Sequence, residues 1–151
     1  MQRILVAVDF SPGTTGVIVA AAELVRALSG ECWLLHVAAP EPEFVGYGVG
    51  PQSVRDQVAT ELMGEHRELH QEAARLRDAG LRVTAIQVQG ATVEKILQEA
   101  ARLQADVIVL GSHGHGALRR ALLGSVSEGV LRGARCPVLI VPAPKARADG
   151  A

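Results

Sequence analysis

Alternation constrains this chain more than any single motif. Five short apolar segments, RILVAV (3–8), CWLLHV (32–37), RVTAIQV (82–88), DVIVL (106–110) and PVLIV (137–141), are separated by longer stretches with helical spacing. The short segments are mostly rich in β-branched residues and are bounded by Gly, Pro, Asp or Arg. Near-continuous apolar runs of this length read as strands covered on both faces, as in a parallel sheet between helical layers. In the third intervening stretch Val93, Ile96, Leu97, Ala100 and Ala101 fall at i, i+3, i+4, i+7 and i+8, one apolar stripe. The second runs from roughly Ser53 to Ala79, opens with Ser53-x-x-Asp56 and carries Val54, Val58 and Leu62 on one face. Gly64 interrupts it, at about 1 kcal/mol against Ala, and marks a place for a bend.

Helix boundaries are also legible. Ser11-Pro12 reads as an N-cap followed by proline at the first helical position. Ser125-Val126-Ser127-Glu128 matches a capping box that opens the last helix. Gly30, Gly80 and Gly133 mark helix ends where a left-handed cap is natural. The sum is an α/β fold, a single open five-stranded parallel sheet with helices on both faces, Rossmann-like. Right-handed crossovers, two running one way from the first strand and the rest returning to its other side, give the order 3-2-1-4-5. The first and fourth strands then meet at the topological switch point, where open sheets bind ligands beyond their carboxyl ends. Asp9 leaves the first strand there, and GSHGHGALRRALLGS (Gly111 to Ser125) leaves the fourth.

A chain of 151 residues fits one domain, expected over 1–143 with a flexible tail at 144–151. A net charge of −1 argues against a general nucleic-acid or membrane-surface binder, and 3% aromatics leave no stacking platform for single strands. Cys32 and Cys136 are far apart, in neither a CxxC nor a zinc spacing, and read as reduced thiols. MQRILVAVDF carries Asp9 and no long apolar region, unlike a signal peptide, and VIVAAAELV is interrupted by Glu23 and too short to span a bilayer. A cytoplasmic location is expected. Residues 39–52, with three prolines and three glycines after the second strand, are expected to form a lid over the crevice.

The glycine-rich stretch fails three familiar tests. No glycine precedes lysine as a P-loop requires, and Arg119 stands where a dinucleotide fingerprint needs its third glycine. Leu110 replaces the first glycine of a nucleophile elbow, which leaves Ser112 a poor nucleophile. Gly111 and Gly114 still allow backbone N–H groups to approach a ligand, and Gly124-Ser125 delivers the chain to a helix N-terminus that favours phosphate. On spacing alone a phosphate site stands only slightly ahead of a tight turn with a capping box.

The same residues fit G-x2-G-x9-G-[ST]: Gly111, Gly114, nine residues, then Gly124-Ser125. Together with ILVAVDFSPGT, LLHV and CPVLIVP, this resembles the universal stress protein family over nearly the whole chain. The resemblance implies the ATP-binding branch, with Mg²⁺, in a stress-response or signalling role. It implies Asp9 near the ribose with Ala7 and Val8 beside it, and Val37 meeting adenine through its backbone. It places Gly111, Gly114, Gly124, Ser125 and Val126 on ribose and phosphates, with Ser112, His113, His115 and Gly116 on the same loop. It also implies a homodimer through the last strand, Pro137 to Val141, an apolar edge otherwise unpaired. Ala121-Leu122-Leu123 are expected to pack inward.

Other candidates carry weaker signals. Asp9 can cap the following turn instead of meeting ribose. Arg119 and Arg120 suit either a γ-phosphate or solvent and a dimer contact. His113 and His115 have no nearby cysteine or carboxylate to complete a metal site. His66 and His70, at i and i+4 in EHRELH, suit zinc by spacing, but the charged neighbours favour a solvated helix face. His36 reads as a hydrogen-bonded core or cleft residue, Trp33 as core and Cys136 as buried. No catalytic residue is assigned. A slow ATPase, with His113 or Asp9 as the only bases in reach, and a dimeric adaptor that does not bind nucleotide are the alternatives.

Overall fold

The computed structural model describes residues 1–40, 52–113 and 123–144. Its elements run β1 (Arg3–Ala7), α1 (Thr14–Leu28), β2 (Glu31–Ala38), α2 (Gln52–Asp78), β3 (Val83–Gln89), α3 (Thr92–Leu103), β4 (Val107–Gly111), α4 (Ser125–Gly133) and β5 (Val138–Val141). All strand pairs are parallel, and the sheet order is β3-β2-β1-β4-β5. The expected winding is therefore observed, and β1 and β4 lie side by side, with Leu5 opposite Ile108 and Val6 opposite Val109.

Strand periodicity sorts the core into two layers. Ile4, Val6, Cys32, Leu34, Val83 and Val109 face α1 and α2, where Val17, Ala21, Val25, Leu69 and Ala73 cover them. Leu5, Leu35, Ile108 and Leu110 face α3 and α4, where Ile96 and Val130 cover them. Trp33 is half-buried in this second layer. Burial pushes the Cys32 thiol up to about 12 and also raises that of Cys136, with a smaller contribution from the Asp106 carboxylate. Both cysteines are free, and Cys136 is half-buried rather than buried.

Several local expectations are corrected. The first helix begins at Thr14, not after Ser11: the Ser11 carbonyl accepts the Thr14 N–H at 3.0 Å in a turn before the helix, and Gly13 is the N-cap. Ser29, not Gly30, holds the left-handed position at its end. Gly80 is left-handed as expected (φ +89°). Gly133 is not a left-handed cap: it ends α4 before an extended Ala134, and a Cβ there would lie 2.5 Å from Leu97 Cδ1. Its smallness serves the close packing of α4 on α3. Ala101 is exposed, and Leu103 joins the buried stripe of α3 in its place. The second helix runs unbroken through Gly64.

Candidate functional site

β1 ends at Ala7, with Val8 buried and Asp9 exposed just beyond it. Phe10 then takes a left-handed conformation (φ 58°), uncommon for a bulky residue, and turns the chain toward α1. One Asp9 oxygen, Oδ1, accepts the Ser11 N–H at 3.0 Å and the Thr14 hydroxyl at 3.4 Å. Asp9 thus closes the turn that starts α1, the simpler of the two roles open to it from sequence, and its place beside the crevice keeps the other role in reach.

The facing wall begins at Gly111, the last residue of β4, which pairs with Val141. Gly111 is not in the left-handed region. A Cβ would stand 3.4 Å from both Val17 Cγ2 and the His113 carbonyl, an ordinary contact distance, so among the described residues neither dihedral angle nor crowding demands glycine here. Ser112 is buried and fully engaged. Its N–H donates to Val141 (2.8 Å), and its carbonyl accepts from Gly124 N–H (2.7 Å) and from the Ser127 hydroxyl (2.8 Å). The returning chain therefore passes so close that a Cβ on Gly124 would lie 3.0 Å from the Ser112 oxygen. Close approach, not a special dihedral angle, explains this glycine.

The expected capping box does not form. Gly124, which has no side chain to cap with, is the N-cap of α4. Ser125 is exposed as the first helical residue, Val126 packs against the α3–α4 layer, and Glu128 pairs with Arg132 at 2.6 Å. Ser127, a residue the motif did not single out, is buried and holds the Ser112 carbonyl instead. The first-turn amides of α4 keep their capacity to accept an anion, which the helix dipole favours.

His113 adds a second donor. The Ser112 hydroxyl oxygen accepts the Ala143 N–H (3.0 Å) and lies 3.0 Å from His113 Nδ1. Donation of the hydroxyl proton to Nδ1 satisfies both groups and leaves the imidazole proton on Nε2. The opposite tautomer would strand the hydroxyl proton as well. Nε2 is buried and, among the described residues, without a partner. A buried donor left unpaired costs about 1–3 kcal/mol, so an acceptor oxygen brought to it would recover a real penalty.

Val37 lies in β2 opposite Val88, half-buried in the α3–α4 layer. His36, its neighbour, points to the other layer and is buried between two partners: Nδ1 stands 2.9 Å from the Val8 carbonyl and Nε2 3.0 Å from Glu65 Oε2. Its hydrogen-bonded cleft role is as expected, whereas Glu65, 29 residues away, carried no signal in the sequence. His66 and His70 touch ring to ring, with centroids 4.2 Å apart, on an exposed helix face. Leu123 is 42% exposed and does not pack inward. Gly114, His115, Gly116, Arg119, Arg120, Ala121 and Leu122 lie outside the described residues, as do 41–51 of the expected lid and 145–151 of the expected tail. Among the described residues no helix is long and apolar enough to cross a membrane, and no group of three His, Cys, Asp or Glu could hold a metal.

Comparison with known proteins places this architecture. The model of the universal stress protein family matches residues 1–142. A universal stress protein of Methanocaldococcus jannaschii is 29% identical over 146 residues, covering 95% of this chain and 84% of its own. The structure of a second protein of that organism, MJ0577, superimposes with a TM-score of 0.78 at 26% identity, over 96% of this chain and 98% of the other. An Archaeoglobus fulgidus universal stress protein solved in complex with dAMP shares the fold at a TM-score of 0.66 and 22% identity, over 93% and 98% of the two chains. With the family model covering all but the last nine residues, the chain belongs to the universal stress protein family.

Proposed function

We propose that the crevice between β1 and β4 binds an adenine nucleotide, ATP carrying Mg²⁺, and that the protein is a nucleotide-dependent module of a cytoplasmic stress response. The observation that carries this reading is His113 Nε2, a buried donor with no partner among the described residues, held in its tautomer by Ser112 within the glycine motif. A phosphate oxygen is the acceptor such a donor lacks. The start of α4 at the Gly124 N-cap supplies backbone N–H groups and a dipole of the matching sign. The dAMP held by the Archaeoglobus fulgidus relative is a ligand of the same chemical class.

In this reading Ala7, Val8 and Asp9 border the ribose, and the Val37 backbone meets adenine. Gly111, Ser112 and His113, continued by Gly114, His115 and Gly116, form the phosphate loop that Gly124, Ser125 and Val126 complete. Mg²⁺ arrives on the triphosphate and lowers the charge the loop must offset. β5 pairs with β4 on one side and leaves Leu139 39% exposed, which suits a second copy docking along Pro137 to Val141. Nucleotide-stripped protein is expected to bind ATP below the millimolar range by isothermal titration, and freshly purified protein to release adenine nucleotide on denaturation, read by mass spectrometry. Absence of both overturns the reading.

A further inference from the structure

The long helix α2 is unevenly attached. Its fully buried residues, Leu69 and Ala73, lie past its midpoint, while Val54, Val58 and Leu62 in its first half are only half-buried. Two polar contacts hold that first half down. Gln87 Nε2 donates to the Leu62 carbonyl at 3.3 Å, and Glu65 Oε2 meets His36 Nε2 at 3.0 Å. The second contact does not stop at His36. The Val8 carbonyl can only accept, so His36 Nδ1, 2.9 Å away, must be the donor there. Nε2 and the Glu65 carboxylate then face each other across a distance that requires a proton between them. The same imidazole stacks on Phe10, with ring centroids 4.7 Å apart, where the backbone is left-handed. Glu65, His36, Val8 and Phe10 thus form one connected relay from the exposed flank of α2 to the residues on either side of Asp9.

We infer that Glu65 and His36 are positioning residues that couple the docking of the first half of α2 to occupancy of the β1–β4 crevice. The inference rests on the nucleotide reading above. Ligand that fixes Val8 to Phe10 favours the His36 geometry Glu65 needs. By linkage, anything that holds α2 down raises ligand affinity by the same factor. The exposed face of α2 becomes the surface on which occupancy can be read.

Two substitutions separate this role from simple packing. The Glu65 side chain is 36% exposed, so replacing it leaves the core intact. Glu65→Ala removes the acceptor and is expected to weaken ATP binding about tenfold, within the usual range of coupling between sites. Glu65→Gln restores a complete network, because its amide N–H donates to a neutral His36 Nε2, and is expected to stay within about twofold of wild type. The ¹⁵N resonance of His36 Nε2 should move from a protonated to an unprotonated position in Glu65→Gln, while Nδ1 stays protonated. ATP should slow amide exchange over residues 52–64 in wild type and in Glu65→Gln but not in Glu65→Ala. Wild-type protein that binds no nucleotide overturns the crevice reading and this coupling with it. Wild-type protein that binds ATP while Glu65→Ala binds equally well, or while Glu65→Gln loses as much as Glu65→Ala, overturns the coupling alone.

Discussion

The two walls of the crevice are built on opposite principles. On the β1 side the Asp9 carboxylate oxygen Oδ1 closes its own turn, His36 is bonded at both ring nitrogens, and Ser11 and Thr14 are buried around them. On the β4 side the scaffold is equally tight at Ser112, but among the described residues it ends in capacity left over: a helix that starts at a glycine N-cap and a His113 Nε2 without a partner. In the proposed nucleotide reading, one wall supplies shape and the other supplies donors for an anion. In an open α/β sheet this is where a ligand with a polar body and a charged tail can be gripped from both sides.

The largest effect should come from crowding the donor wall. Gly124→Val places side-chain carbon where a Cβ alone is already 3.0 Å from the Ser112 oxygen. It should abolish ATP binding and cost about 2 kcal/mol of stability, measured by titration and denaturant unfolding. Next comes loss of the unpaired donor. His113→Ala should weaken ATP about tenfold or more, the range for a hydrogen bond to a charged group, with stability nearly unchanged, because the stranded Nε2 donor is removed while the Ser112 hydroxyl loses its Nδ1 acceptor.

Ser127→Ala tests the scaffold beneath that wall. The Ser112 carbonyl keeps its bond from Gly124, so only one of two donors is lost. A destabilisation of about 1 kcal/mol is expected, a fall in Tm of about 2–4 °C. The smallest change in affinity should follow Asp9→Ala on the shape wall. Stability should fall by about 1 kcal/mol as the Ser11 and Thr14 donors lose their acceptor, while ATP weakens only about threefold. A greater loss of affinity for Asp9→Ala than for His113→Ala would reverse the roles of the walls.

The sheet was legible because five apolar runs can be buried only between two layers of helices, and its order followed from crossovers taken to run to both sides of the first strand. The glycine spacing pointed to the segment that leaves β4, which the structure places beside β1. Its internal bonding was not legible, for a competitive reason. Ser125 and Glu128 match a capping box, but Gly124 takes the N-cap position, Glu128 pairs with Arg132, and the Ser112 carbonyl, brought within reach only by the fold, accepts the Ser127 hydroxyl. The start of α1 also moved, since Ser11 belongs to a turn in which its carbonyl accepts the Thr14 N–H and Gly13 takes the N-cap. The Glu65–His36 contact joins residues whose proximity depends on how α2 crosses the sheet, and no local pattern records that. Gly133 shows the converse: a residue read as a dihedral necessity is a packing necessity against Leu97.

The central claim is that the β4 wall grips phosphate. It is tested most directly by titrating ATP and adenosine in parallel into nucleotide-stripped wild-type and His113→Ala proteins. ATP should bind wild type below the millimolar range and adenosine far more weakly, and the substitution should cost ATP about tenfold while leaving adenosine unchanged. Equal affinities for ATP and adenosine in wild type, or an unchanged ATP affinity in His113→Ala, would contradict the account.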